Sequence, residues 1–469
     1  MAILLLLGCC GIFSPSSLGA EARILFQAQP AFIWTTISPA SGDADIDWLD
    51  YRRYYERPAV ACLGLELSAG PAELVLRVDF RPDFLAFATG DHWTNLPFAV
   101  DGIDSISDVN MPTVSYFQYK GERFSASIGR RAIAWGPGRW GLAISDNAPS
   151  MDHLMLGYSF PSKKGLWKYE FLAIGADRPA ETLGFLATGD YKSIFAHRVL
   201  WEGKNLKIGV SELNLLRGVV PNLVDISPFG VYHNLYMDGY SNVMLDVFAQ
   251  GRIGKSASLY GEFVMDDLVM PWESFSGRPT AFGLLAGGRW RILEGQPYER
   301  PRLHDRDYAL RDEGFAQKGG LTARFEHYRT TSYLYGRETE YGRWTLPDHR
   351  LVGAFPFYFN EANAFALGFP WGPDTALTSL GLSWESRDLV AGFSLSLLRK
   401  GGRTIDSAYD TTNAEQDWFG LTGVVKSSII VEISVEYSIT RKLGLSAFST
   451  LAFMDEASAT VGCGLFFAP

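Results

Sequence analysis

The sequence predicts an all-β protein: a transmembrane antiparallel β-barrel of about 18 strands, of the outer-membrane type, with long outer loops plugging the lumen. Three observations predict it. Apolar and polar side chains alternate through segments of about ten residues, the length that crosses a bilayer as a tilted strand. Short turns between these segments alternate with long connections, the habit of such barrels. No amphipathic helix of useful length is available to cover so many apolar faces in water.

The totals fit this class. The chain has 469 residues, 47% apolar and 20% charged, with a formal net charge of -10. No basic stripe is available for phosphates, so a nucleic-acid partner is not expected. A closed sheet accommodates the length as one domain.

Ala2 to Phe13 form an apolar run, followed by Ser14-Pro-Ser-Ser and Leu18-Gly-Ala. This pattern predicts a secretory signal over residues 1–20, cleaved near Ala20, and a single barrel domain over 21–469. Leu6-Leu-Gly-Cys9 offers a looser alternative, acylation at Cys9.

Arg23 to Ile37 supplies a first strand, and Asp43 to Tyr55 a possible short helix. Leu74, Leu76, Val78 and Phe80 then oppose Glu73, Arg77 and Asp79. Val243, Leu245, Val247 and Ala249 oppose Asn242, Met244, Asp246, Phe248, Gln250 and Arg252. Ile429, Val431, Ile433, Val435, Tyr437 and Ile439 form one apolar face opposite Glu432, Ser434 and Glu436. Each pattern makes a strand with one greasy and one wet face. Short turns fall at Ser68-Ala-Gly-Pro, Lys120-Gly, Glu202-Gly-Lys, Ile253-Gly-Lys and Arg387-Asp, and the rhythm blurs after residue 294. Aromatic residues near strand ends (Tyr116, Tyr119, Trp167, Trp201, Tyr260, Trp290 and Tyr328) are expected in interfacial girdles. Val461 to Phe467 ends on two phenylalanines, as terminal barrel strands do. By parity Cys62 and Cys463 point to opposite sides of their strands, which predicts no disulfide between them.

The chemistry concentrates in Trp135-Gly-Pro-Gly-Arg-Trp-Gly-Leu-Ala-Ile-Ser-Asp-Asn147. Gly136 and Gly138 suit a bend, or a backbone lying close to something. Trp135 and Trp140 offer flat faces, and Ser145, Asp146 and Asn147 offer short polar groups. This is the kit of a sugar-contacting loop; it is equally the kit of a packed turn that braces a larger fold. Phe369-Pro-Trp-Gly-Pro and Pro271-Trp272-Glu273 echo it downstream. On the predicted lumen face, Glu262 and Asp266 lie four apart on one strand, about 13 Å between Cα atoms. Arg131 is the expected partner of one of them. Lumen charges in general read as a network that orders the interior and holds inserted loops.

There is no G-x-S-x-G, H-E-x-x-H, Walker-type loop or C-x-x-C. The seven histidines are scattered, and His304-Asp-Arg-Asp reads as a solvated turn. A non-catalytic protein with no cofactor and no metal is expected.

Arg131-Ala-Ile-Ala-Trp-Gly-Pro-Gly with Leu142-Ala-Ile-Ser-Asp-Asn-Ala-Pro resembles the signature of the Wzi-like capsule assembly proteins. Leu259-Tyr-Gly-Glu-Phe-Val-Met-Asp-Asp is similar to that family's strand ending in a Glu and an Asp pair. The resemblance implies an eighteen-stranded barrel in the outer membrane of a diderm bacterium, with surface or capsular polysaccharide and outer-membrane lipid as partners. It implies glycan binding for capsule assembly or retention, with Trp135, Trp140, Asp146 and Asn147 as contacts. The family's helical bundle has room here only in residues 38–58, so contact with periplasmic partners is in doubt. The alternative function is a porin-like channel for sugars or other small solutes.

Overall fold

The computed structural model describes residues 20–36, 57–81, 95, 112–146, 150–177, 181–182, 185–186, 192–217, 221–227, 229–232, 241–267, 279–296, 319–337, 342–352, 358–407, 420–440, 442–453 and 457–467. The signal segment, the possible helix at Asp43 to Tyr55, Asn147, Trp272 and His304 lie outside the described residues.

The strands are β1 (Ala20–Ala28), β2 (Ala31–Thr35), β3 (Ala61–Ala69), β4 (Ala72–Phe80), β5 (Val114–Lys120), β6 (Phe124–Arg131), β7 (Met151–Ser162), β8 (Gly165–Asp177), β9 (Glu181–Thr182), β10 (Phe185–Leu186), β11 (Lys192–Glu202) and β12 (Leu206–Arg217). They continue as β13 (Ser241–Ile253), β14 (Ala257–Asp267), β15 (Ala281–Glu294), β16 (Gly320–Thr330), β17 (Thr345–Val352), β18 (Tyr358–Ala366), β19 (Thr375–Glu385), β20 (Leu389–Lys400), β21 (Lys426–Ser438), β22 (Leu443–Phe453) and β23 (Ala457–Phe467). Two small hairpins, β9–β10 and β17–β18, stand apart from the main sheet. The other strands pair antiparallel, each with its neighbours in chain order, and β1 and β2 are two halves of one interrupted stave. The result is a closed 18-strand barrel.

Closure falls on that interrupted stave. β1 pairs along its whole length with β3, from Ala20 opposite Ala69 to Ala28 opposite Ala61. β2 pairs instead with β23, from Ala31 opposite Gly464 to Thr35 opposite Thr460. Asn95 patches the break between them. Its side-chain oxygen accepts the Ala31 N–H at 2.8 Å, and its amide donates to the carbonyls of Gln29 at 2.7 Å and Pro58 at 3.1 Å.

The two faces separate as the alternation predicts. Ile24, Leu63, Ile128, Val210, Phe325, Leu382, Ile433 and Leu465 are exposed on the outside. A greasy exterior on a closed sheet is the lipid-facing surface of an outer-membrane barrel, because closure satisfies every ladder hydrogen bond without water. Trp167, Trp201 and Trp290 face outward at the short-turn end, and Trp167 and Trp201 lie 6.5 Å apart. Three of the expected girdle residues are inside instead. Tyr116 carries the Arg131 guanidinium over its ring, while the Tyr260 and Tyr328 hydroxyls both bond Glu326. Their strand parity is that of Gln118, Glu262 and Glu326, and proximity to a strand end does not override it. Cys62 is buried on the lumen side and Cys463 is exposed on the outer side, and no disulfide joins them. The turn rhythm blurs after residue 294 because residues 295–319 join β15 to β16 at the short-turn end with a connection as long as an outer loop.

The dry core is not the barrel wall alone. One apolar cluster unites residues 133–144 and the segments around 334–346 and 365–371 with inward side chains of the wall from β7 to β21. A second, smaller cluster lies outside the barrel, where Tyr232 packs with Phe171, Phe195 and Leu216.

Candidate functional site

The loop after β6 turns into the lumen and closes on itself. The Trp135 N–H donates to the Ile144 carbonyl at 2.9 Å. That neck forces a glycine at 141, because a Cβ there would meet the Trp135 carbonyl oxygen at 2.0 Å and that of Ile144 at 2.2 Å. Gly136 has φ of 99°, and its α-carbon faces the Glu262 carboxylate so closely that a Cβ would lie 2.4 Å from it. The glycines are there because the backbone lies against something, the second of the two reasons the sequence offers for them.

Two wall carboxylates hold the loop. Glu262 on β14 accepts the N–H groups of Leu142 at 2.7 Å and Ala143 at 3.3 Å. Glu326 on β16 accepts the Arg139 N–H at 2.8 Å, the Tyr260 hydroxyl at 2.7 Å and the Tyr328 hydroxyl at 3.1 Å. The Tyr328 oxygen in turn accepts the Trp140 N–H at 3.2 Å. Ionised acceptors on backbone donors are the stronger class of hydrogen bond, and here they replace the water that the loop's amides lose. Arginines complete the frame. Arg139 reaches Glu432 on β21 at 3.1 Å, Arg289 donates to the Pro137 carbonyl at 3.0 Å, and the guanidinium of Arg198, paired with Glu170, covers the Trp135 ring at 4.4 Å.

Two further segments lock the loop from the other side. The Ser145 N–H donates to the Leu367 carbonyl at 2.8 Å, and the Leu367 N–H to that of Trp344, also at 2.8 Å. The Tyr335 hydroxyl donates to the Leu142 carbonyl at 2.6 Å and accepts the Phe369 N–H at 3.0 Å. Burial raises this hydroxyl well above the ordinary phenol range, so it stays a donor. The Phe369 ring stacks on Tyr328 with centroids 4.7 Å apart and meets the Trp140 edge at 6.0 Å. The echo noted in Phe369-Pro-Trp-Gly-Pro is thus a physical partner of the first loop.

This geometry corrects the sugar-contact reading of the loop. Trp135 is 2% exposed, Trp140 4%, Ser145 0% and Asp146 1%, and Gly136 and Gly138 face the wall. None of them presents a face to a glycan; they are the interior of a plug. The expected bridge from Arg131 to Glu262 or Asp266 is also absent. Arg131 donates to Gln118 at 2.8 Å on the neighbouring strand β5. Asp266 instead accepts the Trp344 indole N–H at 3.0 Å and lies 3.7 Å from Arg337, which also pairs with Asp267. A strand periodicity cannot foresee Arg337 and Trp344, because they come from a loop. Glu326, Tyr260 and Tyr328 were within its reach, since all three fall on inward parity.

Among the described residues no group of three or more His, Cys, Asp or Glu could hold a metal ion. Ser127 and His153 are in contact at 2.9 Å, but Ser127 is buried in the wall and the other ring nitrogen faces the Met151 carbonyl rather than a carboxylate.

No family model and no curated protein matches the sequence. Among solved structures, the chain is similar to OccAB4 of Acinetobacter baumannii at 10% identity and a TM-score of 0.45, covering 97% of this chain and 100% of that one. It is also similar to OprD of Pseudomonas aeruginosa at 8% identity and 0.43, covering 96% and 95%. The anion-selective porin of Comamonas acidovorans is matched at 9% identity and 0.37, covering 96% and 100%.

Proposed function

We propose that this outer-membrane barrel is a non-catalytic, porin-like channel for small polar solutes, narrowed by the folded-in loop. The observation that carries this reading is the one-sidedness of the plug. Among the described residues the dry core takes its buried side chains from the wall between β7 and β21, and from β1 to β6, β22 and β23 only the partly buried Ala452 packs against it. Inward positions on that remaining wall are more often polar or small, such as Arg23, Glu66, Arg77, Thr450 and Thr460, than large and apolar, such as Leu25, Ile33, Phe448 and Phe466, and most are partly exposed. A barrel of sixteen to eighteen strands is wide enough to keep an aqueous path beside such a filling. Planar-bilayer recording tests the reading. The wild-type chain should give steady small steps, and Glu326→Ala, which releases the Arg139 N–H and two tyrosines, should give larger and noisier ones. Silence from both chains would remove the channel.

A second reading is polysaccharide binding for capsule assembly or retention. One observation favours it: the two stretches that carry the resemblance to Wzi-like proteins meet, Glu262 of the second accepting the Leu142 and Ala143 N–H groups of the first. In this reading the motif builds the plug, and sugar is bound elsewhere at the long-loop end. It expects a silent bilayer and capture of purified surface polysaccharide that survives Trp140→Phe; lack of capture would end it.

A further inference from the structure

The second apolar cluster sits on the wrong side of the wall for a lumen plug. Its strand members, Phe171, Phe195 and Leu216, all point outward by parity, as do His197 and Glu212 opposite one another on β11 and β12. His197 and Glu212 are 3.3 Å apart and mostly buried. They lie four residues from the girdle pair Trp201 and Ile208, a rise of roughly 10 Å along a tilted strand and so within the apolar band. A charged group facing hydrocarbon is destabilising there.

Residues 221–227 and 229–232 lower that cost by covering the pair. The Tyr232 N–H donates to Glu212 at 2.9 Å, the Tyr232 ring lies 4.9 Å from the His197 ring, and Phe229 stacks on the outward Tyr169 at 5.8 Å. Asn214, outward on the same strand, is likewise 0% exposed. The segment therefore runs down the outer wall as a strap instead of standing in the water above it.

We propose that this strap is embedded in the bilayer, with acyl chains as the occupant of its outer face. Its outer residues continue the lipid-facing surface: Leu223 is 87% and Phe229 84% exposed, with Val224 and Val231 beside them. Its one charge, Asp225, is turned inward and 3% exposed. Most of its described backbone N–H groups, seven of ten, are satisfied within the strap or by the wall, as a medium that offers no hydrogen bonds favours. Pro221 lacks the donor, and Asn222, Val224 and Asp225 give theirs to Asx-type acceptors within the turn. Ile226, Ser227 and Gly230 give theirs to strap carbonyls.

The test is depth-dependent quenching. With the other cysteines replaced by serine, Phe229→Cys is labelled with a small fluorophore and the full chain is placed in vesicles containing brominated acyl chains. A chain retaining only Cys463, on the lipid face, is the reference. Quenching by brominated lipid close to that of the Cys463 label, with no quenching by aqueous iodide, is the expected result. Iodide quenching without lipid quenching would put the strap in water and overturn the proposal. Disulfide-linked dimers of unlabelled Phe229→Cys would overturn it too, by making a second copy the occupant. Leu223→Cys repeats the measurement at a site whose side chain touches less of the fold.

Discussion

At the scale of single residues, the plug is held by contacts that leave no room for a methyl group. Gly141→Ala places a Cβ against two carbonyl oxygens, both belonging to the neck of the loop. Overpacking of this kind costs about 1–3 kcal/mol, read as a lower temperature at which the folded band is lost on denaturing gels. Tyr328→Phe makes the complementary change. It leaves the Trp140 N–H and one Glu326 oxygen without the hydroxyl that joins them, at about 1–3 kcal/mol for buried groups. The reason for the glycines was readable from sequence, since such a cluster means either a bend or a close approach. The direction of the tryptophans was not. Whether an indole is packed or presented depends on what covers it, and here the cover is Phe369 and the segment carrying Tyr335 and Trp344, which has no motif of its own.

At the scale of elements, the strands were legible because each long alternating run satisfies a period of two that nothing in the structure has to override. Those runs and the turn rhythm point to eighteen to twenty staves, the resemblance to Wzi-like proteins favours eighteen, and the barrel has eighteen. The seam was not legible: a stave that pairs with β3 for its first half and β23 for its second has the same alternation as one that pairs throughout. Its stability depends on Asn95, which lies far from both halves in sequence. Asn95→Ala leaves the Ala31 N–H and the Gln29 and Pro58 carbonyls without that amide. Hydrogen exchange followed by mass spectrometry should speed up in peptides covering residues 29–35 and stay unchanged in β13 to β15. Equal acceleration around the whole barrel would mean that the break is bridged by something other than this side chain.

At the scale of the whole molecule, the two surfaces of one closed sheet meet three different media: lipid outside, a dry plug against the wall from β7 to β21, and the wetter remainder of the lumen. Alternation distinguishes inside from outside but says nothing about which inward faces are filled, so polysaccharide binding, the first reading of the sequence, and the channel, its alternative, share one strand pattern. Paired substitutions separate the media. Leu382 faces outward and is exposed on β19, whereas Thr450 faces inward and is half-buried on β22. An arginine on the lipid face costs up to about 2–4 kcal/mol, depending on depth, so Leu382→Arg should lower the unfolding midpoint in vesicles while leaving single-channel current where it was. Thr450→Arg adds a long cation at the border of the plug, opposite Glu432 and able to reach the wetter lumen, a change of about 0.5 kcal/mol or less. It should reduce conductance and shift selectivity toward anions, because the added charge stands in the proposed path. If both variants lose stability alike, the wall at β22 is as dry as the wall at β16, and the lumen is filled from side to side.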